Sequence, residues 1–532
     1  MKRKRSYQNL LCTLTLFVLF LSCSHTTGPT AQSGQRTYEE SVRQVVFPEN
    51  TVTVRFDNLY KNDIYLVKVN QSGSAVSAGS TGKVQNVSPS LQNDRGMSSD
   101  TYDGNDVIPH TRMPRMGRPE GEQQKYLLPA PPVGNVSATA VSAFVPPALN
   151  STRSFWVETY HGSGKFKQIQ ATLLAIGTHS NIWVANTTSI SKIQAQNLAA
   201  KFDVIYPAET NILGYEYGGG PGGNGGMDGD PRIQILAHDI LDASGNNPAS
   251  GYFWSKDFYT DAYAQSRWGE RSNEAEIFYV DAGTLRFYPD FIYSTLVHEF
   301  QHMINFNVKY VEHGKISQTW YDEMLAMMAE DIIAPLAGVG PTNSDHVIND
   351  MIPYFISTYY KAGVTEWLTG TQDETDFSYE SQFAFGAYLL RNYGGAELLQ
   401  KILANDTTGT DSITAALKEN DPEMTFQKAF LRYGEAMIFS GNSMPEGAMS
   451  FDKTVTKTIN GYTYTASRFD IWNMRRGYGV YGPYVFDLNQ AAMKPYSVSL
   501  HSAAGWKGIS GSFSVTLEKP SSSNVVFYLM VR

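Results

Sequence analysis

Between Ser294 and Asn307 the chain reads STLVHEFQHMINFN, and this stretch limits what the chain can fold into more than any other. Leu296, Val297, Phe300, Met303 and Ile304 have helical spacing, yet His298, Glu299 and His302 stand among them. Polar groups buried without partners cost about 1 to 3 kcal/mol each. Three on one half-buried helix therefore call for a shared partner, and a metal ion meets that need. Residues four apart share a helix face, so His298 and His302 can bind one ion through imidazole nitrogens while Glu299 projects beside it. A catalytic zinc also requires a third protein ligand and an open position for water, whose proton Glu299 would take as the water attacks a carbonyl. With 10 His in 532 residues, the pattern H-E-x-x-H arises by chance in about one such sequence in a hundred.

The third ligand should lie on a second helix facing the first. QTWYDEMLAMMAEDII, Gln318 to Ile333, carries Trp320, Leu325, Met328 and Ile332 at helix-compatible positions, with Glu323 and Glu330 seven apart on one stripe. Taken alone, this helix would be read as carrying two solvated charges; the motif upstream reverses that. Glu323 would complete a His2Glu site, and Glu330 would accept a hydrogen bond from a ligand imidazole.

A chain of 532 residues exceeds one ordinary core. Its net charge of −9 includes the basic run Lys2–Arg5, so the remainder is more acidic still, and such a surface repels phosphate backbones and excludes nucleic acid as a partner. Residues 1–22 have a basic start and an apolar run, as a signal peptide does. Their end resembles a relaxed bacterial lipobox, which implies that Cys23 becomes a lipidated N-terminus and anchors the protein to a membrane outside the cytoplasm; a plain secretory signal is the other reading. Both cysteines, Cys12 and Cys23, lie in this leader, so the processed chain would have neither a disulfide nor a cysteine ligand. With such a leader, the N-x-[ST] sites at Asn70, Asn86, Asn135, Asn150 and Asn186 carry no weight.

Residues 23–50 read as a tether, 51–70 as a small β unit with a turn at Lys61-Asn62-Asp63, and 71–150 as a low-complexity, proline-containing linker. Residues 151–445 read as an α+β catalytic domain in which strands precede the motif helix. Residues 446–532 alternate as a terminal β-sandwich does. Within the catalytic stretch, GGGPGGNGGMDGDP offers Asp228 and Asp230 as oxygen ligands to Ca2+, but the incomplete ligand set favours a flexible glycine loop entering a strand.

HEFQHMINFN followed by WYDEMLAMMAED resembles the gluzincin metallopeptidases, and specifically the hyicolysin-like, M30-type family of bacterial secreted peptidases. SGYFWSKDFY and SNEAEIFYVD are similar to the strands such proteins place ahead of the active helix, so the resemblance covers roughly Phe155 to Gly395. It departs from the commoner Asn-Glu-Gly around the third ligand, which is Asp322-Glu323-Met324 here.

The resemblance implies a zincin-type domain, a sheet over the H-E-x-x-H helix with a helical C-terminal subdomain, flanked by β-rich units. It implies a zinc endopeptidase acting on proteins or peptides, with one Zn2+ on His298, His302 and Glu323 and with Glu299 as general base. By the same analogy Ala275, Glu276, Ile277 and Phe278 would form the cleft edge that pairs with an extended substrate. Tyr379 would donate to the oxyanion, with His346 as alternative. An aminopeptidase would need a G-x-M-E-N type segment ahead of the motif, and there is none. An adhesin that keeps the scaffold for binding is the reading from another class.

Overall fold

The structure is a computed structural model that describes residues 36–87, 144–246, 249–441, 444–476, 480–489 and 491–532. The signal segment, Cys23, the first part of the tether and most of the 71–150 linker lie outside the described residues. Strands are numbered in chain order. β1 (Val42–Gln44), β2 (Thr51–Asn62), β3 (Ile64–Asn70) and β4 (Lys83–Val87) come from one end of the chain, and β13 (Ser497–His501), β14 (Ile509–Glu518) and β15 (Val525–Val531) from the other. They interleave in two sheets of order β1-β15-β3-β13 and β2-β14-β4. The stretches 51–70 and 446–532, read from sequence as separate units, thus share both sheets, and β4 is a strand within the stretch read as linker.

The reason is visible in β3. All seven of its residues are buried, as suits a strand with neighbours on both sides, and β13 and β15 supply those neighbours. Phe56, Leu66, Trp506, Phe513 and Phe527 fill the space between the sheets. His501 is sealed within this module, with Nδ1 2.7 Å from Asp487 O and Nε2 3.0 Å from Ser499 Oγ. Burial, aided by the nearby Lys68 charge, pulls its pKa down to about 4.

The stretch 151–445 is built on β5 (Thr152–Glu158), β6 (Phe166–Ile176), β7 (Ser180–Ala185), β8 (Ile233–His238), β9 (Gly251–Phe253) and β10 (Ile277–Asp281). Their order is β5-β6-β7-β8-β10-β9, with β7, β8 and β10 parallel and the others antiparallel to their neighbours. Helix α1 (Lys192–Leu213) makes the crossover from β7 to β8 that a parallel pair requires. Ser191 and Gln194 form its capping box, and Gly214, at φ 96°, ends it.

Helix α2 (Pro289–Asn305) starts on Pro289, whose missing N–H costs nothing in a first turn, and is buried from Phe291 onward. It runs on into a π-helical segment, Phe306–Val311. Its Phe300 ring packs on Phe202 and Tyr206 of α1 at 5.1 and 5.2 Å between centroids. Helix α3 (Thr319–Ile333) is buried at every residue. It lies between α2 and α5 (Gln372–Tyr393), which follows α4 (Val347–Thr358). A Cβ at Gly386 of α5 would sit 2.6 Å from Met328 Cγ, so the close approach of α3 and α5 depends on that glycine. The hairpin β11 (Val455–Ile459) and β12 (Tyr462–Ala466) belongs to neither terminal sheet. It docks on α1, where Tyr464 Oη donates to Ala208 O at 2.7 Å.

Candidate metal centre

The two helices that the sequence picks out, α2 and α3, face each other in the core, and their polar residues meet. His298 and His302 sit one turn apart with ring centroids 4.7 Å from each other. Both Nε2 atoms turn to the same oxygen of Glu323, Oε2, at 3.0 Å from His298 and 3.5 Å from His302. Zinc–nitrogen and zinc–oxygen bonds of this kind hold tetrahedral ligand atoms roughly 3.4 Å apart, so the observed separations bracket what one ion needs. Ligand atoms of His298, His302 and Glu323 all lie within 4.8 Å of one another, the only such group among the described residues. Glu323 Oε1 and Glu299 Oε2 are buried with no hydrogen-bond partner, as groups reserved for something other than protein would be. The donor set fits a zinc ion.

Each imidazole is held from behind by a carboxylate. His298 Nδ1 lies 2.9 Å from Glu330 Oε1, and Ser294 Oγ donates to the other Glu330 oxygen at 2.5 Å. His302 Nδ1 lies 3.1 Å from Asp322 Oδ1, which also accepts from Asn305 Nδ2 at 2.8 Å. These contacts leave both Nε2 atoms facing Glu323. Burial by itself would lower His298, but the hydrogen bonds to Glu323 and Glu330 prevail and raise it to about 9. For His302 too, burial is outweighed by Asp322 and Glu323, and its pKa is raised. Burial would raise Glu323; the His302 charge and the bond from His298 instead bring it to about 2.

Glu299 stands between this cluster and the sheet edge at β9, where it lies against Gly251 and Phe253. Burial raises it to about 7 against the opposing pull of His298 and His302, and the Phe253 backbone hydrogen-bonds it. A Cβ at Gly251 would lie 2.7 Å from Thr295 Cγ2 and 3.4 Å from Glu299 Cγ, so only glycine lets β9 come this close to α2.

The cleft-edge expectation needs correction. Ala275 and Glu276 precede the strand, and Ile277 and Phe278 belong to β10, which has β8 on one side and β9 on the other. Its run of buried residues suits an interior position, and the free edge is β9. Glu276 turns instead into the glycine loop, accepting from Met227 N at 2.9 Å. In the glycine loop the two aspartates make turn hydrogen bonds, as a loop entering a strand would. Asp228 Oδ1 accepts from Asp230 N at 2.9 Å, while Asp230 accepts from Arg232 N at 3.0 Å and Asn181 Nδ2 at 2.7 Å. Both aspartates shape the turn into β8.

Tyr379 is buried on α5 with its ring edge-on to Trp367 at 4.9 Å. His346 caps α4 and feels Asp331 and Glu330, on the side of α3 that backs the cluster. Two residues near the centre escaped the sequence reading. Asp322 could have been found from its place beside Glu323. Glu209 of α1 could not: it is fully buried with neither oxygen partnered, and burial raises its pKa, opposed by His302 and helped by Glu330.

A family model described as Peptidase M30 matches residues 163–453, more than half of the chain. The neutral metalloprotease ShpI of Staphylococcus hyicus is 27% identical over 308 residues, covering 54% of this chain and 63% of that protein. The chain thus spans less than two thirds of the length of this curated relative. The matched region contains all of α1, α2, α3 and α5, and with them every residue of the cluster, so the chain belongs to the Peptidase M30 family.

Proposed function

We propose that the protein is a zinc-dependent endopeptidase, exported by its leader and tethered through Cys23, that hydrolyses peptide bonds in proteins or peptides. The observation that carries this reading is the convergence of His298 Nε2, His302 Nε2 and Glu323 beside a buried, otherwise unpartnered oxygen of Glu299. Zinc held by His298, His302 and Glu323 would supply a Lewis acid that acidifies water and polarises the scissile carbonyl.

The protein's own groups do the rest. Glu299 takes the proton of the attacking water and later delivers it to the leaving amine, a role favoured by the burial that raises its pKa. Glu330 and Asp322 keep the imidazoles in the tautomer that presents Nε2 forward. The free edge of β9 pairs with an extended substrate and lays its carbonyl across Glu299. Tyr379 donates to the oxyanion.

The test is metal content by elemental analysis, wild type beside Glu299→Gln, together with casein hydrolysis with and without a chelator. About one zinc per chain in both proteins is expected. Hydrolysis should be chelator-sensitive in the wild type and reduced at least about a hundredfold in the variant. Near wild-type hydrolysis by Glu299→Gln would refute the mechanism, and absence of zinc from both would refute the metal site.

A further inference from the structure

Beyond Asn305, where α2 passes into its π-helical segment, the helix borders a cavity of about 720 Å3. The end of α1, the glycine loop Gly214–Pro221 and the segment around Gln400 complete its walls. Two carboxylates belong to the lining, Glu216 and Glu312; no Lys or Arg does, and His313 is its one imidazole. Glu216 is 3% exposed, with Tyr206 Oη donating to Oε1 at 2.8 Å and Oε2 without a partner. Room for this carboxylate exists because residue 219 is glycine, where a Cβ would stand 2.3 Å from Oε1 and 2.7 Å from Oε2.

Glu312 is exposed, and its Oε1 accepts from Asn307 Nδ2 at 2.9 Å. The same amide donates to Tyr215 O at 2.9 Å, so one asparagine pins the glycine loop to the helix and fixes the shape of the cavity. Tyr215 and Tyr217 add aromatic rings to the lining.

A buried carboxylate with a spare oxygen costs free energy unless a positive group answers it, and π segments recur at functional sites. Carboxylates beside aromatic rings, with no competing basic side chain, match an ammonium or guanidinium ion. A metal ion is the poorer match, since only the His298, His302 and Glu323 group converges on one point among the described residues. Asn307 lies five residues past His302, about 8 Å along the helix axis and roughly 140° around it, so a peptide joining the two sites would follow the helix surface over several extended residues.

We propose that this cavity is a specificity subsite that takes the cationic end of a lysine or arginine side chain in the peptide substrate. The proposal rests on the peptidase reading and names the substrate class that reading leaves open.

The test uses the full zinc-loaded protein and paired fluorogenic peptides carrying arginine or glutamine at each position around the scissile bond. At one position the arginine peptide should exceed the glutamine peptide about tenfold in kcat/KM, as one charge-assisted contact allows. That ratio should collapse toward unity in Glu216→Gln and Glu312→Gln; the second change is at the surface and spares the fold. A wild-type ratio near one at every position, or one unchanged in both variants, would overturn the proposal. Should the wild type cleave no peptide at all, the peptidase reading fails, and calorimetric titration with agmatine decides the cavity separately. Binding weakened in Glu312→Gln would uphold the cation site, and no binding to the wild type would overturn it.

Discussion

His298 and His501 are both sealed from water, yet their surroundings drive them in opposite directions. His298, in the helical core, has a carboxylate at each ring nitrogen and is raised to about 9. His501, in the terminal β module, has a carbonyl and a hydroxyl, with Lys68 nearby, and falls to about 4. Burial alone makes an imidazole neutral and inert; burial among carboxylates makes it a charge carrier or a metal ligand. The difference lies in the neighbours, and the neighbours come from other segments of chain.

The sharpest way to break this contrast is Glu323→Ala, which removes the acceptor shared by both imidazoles. Bound zinc should drop from about one per chain to near none; full retention would move the third ligand elsewhere, with Glu330 the first candidate. The next largest effect belongs to His501. Its folded pKa lies below its unfolded value, so the stability it contributes is present above pH 6.5 and is lost as pH falls through 4. At about 1.4 kcal/mol per pKa unit, the loss is roughly 3 to 4 kcal/mol. His501→Gln should flatten that part of a melting-temperature profile. In chelator-stripped protein the sign reverses for His298, whose raised pKa gives stability below pH 6.5 that is lost as pH rises through 9.

A smaller change sharpens the role of the rear carboxylates. Asp322→Asn keeps the shape but not the charge behind His302, and a competing chelator should register a zinc affinity about 10 to 100 times weaker; an unchanged affinity would reduce Asp322 to a structural contact. The smallest expected effect concerns Glu209, a carboxyl in the same core with no partner. Glu209→Met should raise the unfolding free energy by about 1 kcal/mol, since it replaces a buried polar group with an apolar one of similar length. A loss of stability would mean that the carboxyl has a partner such as buried water.

Much of this centre could be read from sequence because it lies on two helices. The spacing of His298, Glu299 and His302 places them together through the helical repeat alone, and Glu323 and Glu330 share a stripe for the same reason. The extent of α3 was legible too, as a stretch apolar almost all round. The free edge of the sheet was not. β9 is only Gly251–Phe253, too short for a period-two pattern, whereas β10 announces itself as a longer apolar run and so drew the assignment. Glu209 was hidden because one glutamate within a mixed helix carries no periodic signature. Strand partners across the terminal module were equally hidden, since pairing between β2 and β14 depends on residues more than 400 positions apart.

That pairing has a consequence for how the molecule comes into being. Residues 51–70 leave the ribosome early, but β3 gains its hydrogen-bonded flanks only from β13 and β15, hundreds of residues later. Until then its apolar side chains and unpaired backbone are open to wrong partners. The central body, whose α1, α2 and α3 lie within about 140 residues of one another, can form while the module waits, and contacts of such long range are slow to close. The β module can close only after residue 531 is made, so a chain ending before residue 497 would hold every residue of the metal centre but lack both flanks of β3.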